Sequence, residues 1–574
     1  MKIKHFFGLA VIAAMTASCS SNEDLGTAGS GTGTNEAGVG YATFSINLPT
    51  TSGTRAGSDP TFDKGDDDEY KVNDATLLIF KKVKETDKEG DYTFVESAEL
   101  GSMAPWKDPT EQGVTTHAKI TAKLEQVDKT DGYYALVLLN NGTGKNVKVT
   151  LPEKNAKFSD WNVDTNKDKE ATNKIANYDN GFYMANAPLF KDNNVTTLVA
   201  IDKDKIYPTE EQAAKSAATD VYVERGLAKV SLGTGTTTAK PVTSVTYQGD
   251  EVTISKWALD VTNKKAYPIH NVDGLTTEFP TIWSNDATTA STTNKATTQR
   301  FVDNNDKTSV KRVYWGKDPN YDNKDNDKTA LNAEFNYVAN ANVKEDPDKP
   351  LYCLENTFNL DNMKQGQTTR VVFKATYKPA SIAKGATFYK IGKNTAIWSE
   401  ADLEKEIKAA VASVVSGAAG KTTVTLNAPN NNITAAGTHY ITADNITVTD
   451  VTAETIEKAI TAINTQLGLK ETDKVGISTY AGGESYYIAR IKHFGDALTN
   501  WKSGTYGENN LEYLGRYGVL RNNWYVLTVQ SVSGPGYPSV PEVKPNTSDD
   551  EDDNYINVSV KILSWAKRSQ DVNL

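Results

Sequence analysis

The chain has 574 residues, a formal net charge of -11 and 24% charged side chains. Such a length exceeds one ordinary core, so two or three domains are expected, and the acidic balance lacks the electrostatic footprint of a nucleic-acid binder. Cys19 and Cys353 are the only cysteines, too few for a disulfide framework, and no run of about 18 apolar residues is present to span a bilayer as a helix.

The chain opens with Lys2 and Lys4, a short apolar run over residues 6–15, and then the small residues Thr16-Ala17-Ser18 before Cys19. This is the pattern of a lipoprotein signal, with Cys19 acylated and exposed as the first residue of the exported form. An ordinary secretory signal cut near Ala17 is the alternative. Residues 26–40 are rich in Gly, Thr and Ser and read as a flexible tether.

Residues 41–48 alternate strictly, with Ala42, Phe44, Ile46 and Leu48 on one face of a strand. Pro49 stops that strand, and a Thr/Ser/Gly loop leads to Arg55, an isolated basic residue followed by Ala56. A strand placed between an anchoring signal and a cleavable arginine reads as one meant to be removed. The plain alternative is that Arg55 is an ordinary surface arginine. Lys2, Lys4 and Arg55 balance Glu23, Asp24 and Glu36, so removing residues 1–55 leaves the net charge unchanged.

The remainder reads as mainly β, a sandwich-type protein with minor helices. Residues 72–80 form a buried strand, and residues 133–139 are almost wholly apolar, as a strand covered on both faces would be. Residues 221–232 read as one further strand, and the Thr/Gly-rich stretch 233–240 as a boundary. Residues 252–261, 369–377, 486–493 and 525–532 continue the β pattern. Two Ala-rich stretches, 400–415 and 453–467, end near Gly417 and Gly468 and read as helices that cover a sheet. The polar stretch 303–327 reads as a surface loop, residues 63–69 as acidic surface, and Cys353, between Tyr352 and Leu354, as a small buried hydrophobe.

Little in the chain points to catalysis. His117, His270, His439 and His493 lie outside any HExxH or HxH spacing, and neither GxSxG nor a P-loop occurs. Asp and Glu are numerous, but nothing selects one carboxylate pair of the glycosidase kind. Residues 322–327 space their oxygens as a calcium loop does, yet lack the Gly and the distal Glu of an EF-hand. No catalytic residue, metal or cofactor is expected, and the chain is not read as an enzyme.

At the far end, residues 555–563 form a second alternating strand with Ile556, Val558, Val560 and Ile562 on one face and Trp565 just beyond. An acidic linker, Asp549-Asp550-Glu551-Asp552-Asp553, precedes it, and Pro535, Pro538, Pro541 and Pro545 precede that. A proline-rich segment is stiff and extended, which would hold the strand away from its own body. That the strand completes its own sheet is the other reading.

Taken in order, these features resemble the fimbrillins of Bacteroidia, the type V pilins, in particular the shaft-forming subunits of the short (minor) fimbriae. The resemblance rests on the lipoprotein signal, the removable strand, Thr54-Arg55-Ala56, Asp74-Ala75-Thr76-Leu77-Leu78-Ile79-Phe80 and Ala185-Asn186-Ala187-Pro188-Leu189-Phe190. It continues through Val223-Glu224-Arg225-Gly226-Leu227-Ala228-Lys229-Val230, Tyr352-Cys353-Leu354-Glu355-Asn356-Thr357 and the terminal strand. The acidic patch after Cys19 likewise resembles the surface-export signal of lipoproteins from that group.

The resemblance implies two β-sandwich (transthyretin-like/Greek-key) domains with a few short helices. The expected divisions are a signal over 1–18, a propeptide over 19–55, domains over 56–240 and 241–540, and a donor segment over 541–574. It further implies a palmitoylated outer-membrane precursor, cut between Arg55 and Ala56 by an arginine-specific protease. The freed groove then takes the terminal strand of the next copy by donor-strand exchange. The implied partners are the chain itself in a head-to-tail polymer, accessory tip and anchor subunits, and host or bacterial surface ligands in adhesion and biofilm. A surface lipoprotein that binds glycans for nutrient uptake is a rival of a different class, a lipid-anchored glycosidase a weaker one, and a tip or anchor subunit the alternative within the family.

Overall fold

The structure, a computed structural model, describes residues 33–49, 66–101, 114–127, 132–142, 147–163, 181–191, 194–275, 311–313, 315–321, 328–357, 360–493, 513–549 and, for the backbone, 556–564. It is mainly β. The alternating apolar pattern builds the strands, and each pattern's inward face finds a core.

The first sandwich contains β1 (Gly40–Pro49), β2 (Ala75–Lys81), β3 (Thr93–Glu99), β4 (Val114–Leu124), β5 (Tyr133–Leu139), β6 (Met184–Asn186) and β7 (Ala217–Arg225). They are hydrogen-bonded in the order β3-β2-β5-β6-β7-β1-β4, and Val199–Ala200 also pairs with β5. β7 joins the two halves of this ribbon. Its early residues run parallel to β1, and Val223 to Arg225 run antiparallel to β6. The ribbon folds over so that Ala42, Phe44, Ile46 and Leu48 of β1 meet Leu77, Ile79, Val137 and Val221 in one core.

β5 explains its own composition. Ala135, Val137 and Leu139 enter that core, whereas Leu136 and Leu138 enter a second layer with Phe80, Phe158 and Trp161. Both faces are covered, as its near-continuous apolar run predicts.

The second sandwich contains β8 (Ala228–Leu232), β9 (Glu251–Asp260), β10 (Leu351–Cys353), β11 (Arg370–Lys378), β12 (Glu484–Arg490), β13 (Asn523–Val532) and β14 (Ile556–Ser564). One sheet runs β10-β8-β13-β14, and the other runs from Lys240–Pro241 through β9, β11 and β12. Val230, Tyr525 and Leu527 from the first face Trp257, Phe373, Tyr377 and Tyr487 from the second.

Between β11 and β12 in the chain lie helices α1 (Glu400–Val414) and α2 (Ala453–Gln466). Ser399 and Thr452 cap them by accepting from Asp402 N and Thr455 N. Ile407, Val411, Ile456 and Ile463 pack with Tyr389 and Ile477 in a core of their own, so the helices cover a small sheet as their apolar stripes predict.

Two expectations are corrected. The pattern over 221–232 is not one strand: it breaks after Arg225, and β8 leaves for the other sandwich, pairing with β10 and β13. Gly226 and Leu227 are the crossing point, and a period-two pattern is blind to such a change of sheet. Nor are the described parts of 303–327 a surface loop. Lys311–Arg312 pairs with Leu189–Lys191, and Trp315 and Tyr321 are buried in a core with Leu331 and Phe335. Aromatic anchors override the polar residues around them.

Candidate functional site

β1 is an internal strand. Ten register pairs, from Gly40↔Leu124 to Pro49↔Val114, tie it antiparallel to β4, and Thr43 to Asn47 pair with Ala217 to Tyr222 of β7 in parallel. Ala42, Phe44, Ile46 and Leu48 are all at 0% exposure, as the alternation requires. The other face is also covered. Thr43, Ser45 and Asn47 are buried, the Thr43 and Thr121 hydroxyls share a hydrogen bond of 2.6 Å, and Asn47 Nδ2 donates to Ser45 O at 3.2 Å. A single turn, Glu210–Ala213, lies over β1 and β4. The polar face of β1 carries no charge, which is compatible with its being covered.

β14 is placed differently. Among the described residues it pairs antiparallel with β13 alone, from Asn523↔Ser564 to Val532↔Ile556, and ends its sheet. The terminal strand therefore lies against its own body, contrary to the expectation that a stiff proline segment keeps it away. The proline segment is a strap fastened at each step. Tyr537 bridges to Tyr486 of β12, Tyr480 and Tyr487 hydroxyls donate to Gly536 O and Gly534 O at 2.9 and 2.8 Å, and Arg370 donates to Pro541 O at 2.9 Å. Gly536 sits at φ +66°, where an added Cβ would lie 2.6 Å from Tyr486 O, so only glycine fits there. The strap ends at buried Asp549, whose carboxylate accepts from Thr368 Oγ1 at 2.8 Å. Prolines without N–H groups suit a chain that gives its carbonyls to the surface beneath it.

The two sandwiches meet in a polar seam built from the same segments that carry the sequence resemblance. Glu69, read from sequence as acidic surface, is at 0% exposure and pairs with the Lys229 ammonium of β8 at 2.7 Å. Its Oε1 also accepts from the Tyr352 hydroxyl at 2.5 Å, and Lys229 lies 3.9 Å from the centre of the Trp524 ring. Arg225, fully buried, donates from Nε to Glu69 O at 2.7 Å. Asn522 holds a left-handed turn at φ 58°, tolerable for Asn, and its Oδ1 accepts from Arg225 N at 3.2 Å.

Glu224 pairs with His270 Nδ1 at 2.9 Å, and Glu355 with Arg521. Burial pushes the Asp318 carboxyl up to about 7, against hydrogen bonds from Asn320 and Thr357 that pull it down. Burial likewise pushes the Cys353 thiol up to about 12; as expected, Cys353 is a core residue at 0% exposure.

Glu69→Ala strands the Lys229 ammonium in this seam. The expected loss is about 3–5 kcal/mol of unfolding free energy, read from chemical denaturation, with Glu69→Gln losing less because the amide oxygen still accepts.

Cys19, Arg55, Ala56, Trp565 and the 322–327 loop lie outside the described residues. Among the described residues no His/Cys/Asp/Glu group could hold a metal ion, and no helix is long and apolar enough to cross a membrane.

Residues 478–571 match a family described as "Major fimbrial subunit protein type IV, Fimbrillin, C-terminal". The C-terminal region is similar to that of fimbrillins. No curated protein matches the chain. The matched stretch takes in β12, β13, the strap and β14, so the family signature falls on the terminal strand and on what it rests against. The polar seam joins this matched C-terminal part to the strands that hold β1.

Proposed function

We propose that this fimbrillin is a shaft subunit that polymerises head to tail by exchanging one strand for another. In this reading the precursor is a lipoprotein acylated at Cys19, an arginine-specific protease cuts after Arg55, and β1 leaves. The gap between β7 and β4 then takes β14 of the next copy, with Ile556, Val558, Val560 and Ile562 replacing the apolar face of Ala42, Phe44, Ile46 and Leu48. Tip and anchor subunits would end the polymer, and surface ligands would be met along it in adhesion and biofilm.

One contrast carries the reading: β1 is held on both edges, whereas β14 is held on one. A strand moving from β13 into the vacated gap exchanges one hydrogen-bonded neighbour for two, and each ladder bond contributes about 0.5–1.5 kcal/mol net. Four apolar side chains buried there add about 6–12 kcal/mol as an upper bound. While β1 occupies the gap the two strands are near balance, so cutting β1 away is what gives the exchange a direction. Donor end to acceptor gap is a heterologous contact with no closing symmetry, which yields a filament. The strap fastens the chain as far as Asp549, so the donor would swing from there on a linker of about 20 Å when extended.

The experiment is Arg55→Ala. Unprocessed monomer at the cell surface, with Cys19 still lipid-modified by mass spectrometry, is the expected outcome. Normal filaments from that variant would contradict processing at Arg55.

A further inference from the structure

The inference concerns how the gap opens, and it rests on the reading that β1 is vacated and refilled. β4 ends its sheet, and β1 is its only ladder partner among the described residues. Once β1 is gone, β4 keeps no hydrogen-bonded strand beside it among the described residues. What it keeps is unevenly distributed. At its carboxy-terminal end, Leu124 and Ala122 are buried in the core together with Val127, while Ala118 and Ile120 towards the other end are only partly buried.

The same end is fastened from outside. The Glu96 carboxylate, on the edge strand β3 at the opposite margin of the ribbon, accepts from Glu125 N at 3.1 and 3.0 Å and from Gln126 N at 3.0 Å. Hydrogen bonds from N–H groups to a carboxylate are stronger than neutral ones, and these do not depend on β1. Beyond them, the turn Glu210–Ala213 lies over β4 and β3 runs close to it.

We propose that β4 is a flap hinged at Glu96. In the processed subunit its far end swings away from β7, the incoming strand enters from the open side, and closure of β4 completes the second ladder. Glu96 is then a positioning residue for strand insertion, with only a small part in holding the precursor, where β1 clamps β4 along its length. The deep end keeps the register, so β4 closes back in the alignment it had.

The test uses the full chain carrying Val558→Asp and Val560→Asp, so that it cannot donate to itself. It is cut after Arg55, and the cleaved segment is removed by gel filtration in mild denaturant. The strand is then supplied as a synthetic peptide of residues 550–574 with the natural sequence. Hydrogen exchange should show the amides of residues 116–121 about a hundredfold less protected than in the precursor, residues 124–127 still protected, and both protected again with peptide bound.

Glu96→Ala should expose residues 124–127 as well and slow peptide insertion about tenfold, with Glu96→Gln between it and the natural chain and precursor stability little changed in both. Protection of residues 116–121 that survives loss of β1, in a subunit that still takes the peptide, overturns the flap and leaves the gap reading intact. An insertion rate indifferent to Glu96→Ala overturns the hinge. A peptide that never binds overturns the gap reading itself.

Discussion

Phe44→Ala is expected to destabilise the precursor by about 3–5 kcal/mol and to leave the assembled fibre unchanged. Phe44 is at 0% exposure in the middle of β1, packed with Leu77, Ile79 and Val137. Truncating it removes a ring from a close-packed core and leaves a cavity that β2 and β5 cannot collapse into without breaking their own ladders. In an ordinary sandwich that loss would persist for the life of the molecule. In the proposed exchange the altered residue departs with β1, so fibres grown from whatever precursor survives should melt in detergent at the natural temperature. Ile46→Val, with an expected loss of about 0.5–1.5 kcal/mol, gives a milder variant should Phe44→Ala fail to fold. Fibres whose heat resistance falls in step with the precursor's stability would mean that β1 is still inside them.

The second large effect lies at the other end. Val558→Asp with Val560→Asp should abolish assembly, leaving processed monomer on a native gel where the natural chain gives a ladder of polymers. In the proposed gap both positions face the core of the next subunit. Burying an unpaired carboxylate there costs several kcal/mol each, enough to cancel the 6–12 kcal/mol upper bound that burial of four apolar side chains provides. The polar-face control, Ser559→Asp, points towards the side that Ser45 occupies in β1 and should weaken assembly less. Equal loss from both variants would contradict the assigned inward face.

Much of the architecture was legible because a period-two pattern reports which faces of a strand are covered. Ala42, Phe44, Ile46 and Leu48 are buried as read, and the nearly unbroken apolar run of 133–139 announced a strand with two covered faces. Helices α1 and α2 lie within two residues of their expected ends, since Ser399 and Thr452 mark their starts and glycines follow their ends. What the pattern cannot report is which neighbour a strand takes. Nothing in residues 221–232 says that the chain changes sandwich at Gly226, and nothing in 556–562 distinguishes a free strand from one resting on β13.

The polar seam was invisible for a related reason. Glu69 and Lys229 are far apart in the chain, and a lone Glu in an acidic run looks like surface until the lysine that neutralises it is seen beside it. The strap misled differently. Prolines do imply an extended segment, but extension says nothing about whether tyrosine hydroxyls and Arg370 wait beneath its carbonyls. In the candidate site, the apolar half of β1 was legible and the buried Thr43, Ser45 and Asn47 were not. Small uncharged polar residues fit a covered face and an exposed one equally well.

The measurement that bears most directly on the account is a structure of the assembled fibre by electron microscopy, resolved well enough to read side chains between β7 and β4. The account predicts that the strand there is residues 556–562 of the adjoining subunit, with β13 of the donor no longer paired to it and residues 40–49 absent. Density for Phe44 in that gap, with each subunit's own β14 still lying on its own β13, would contradict it.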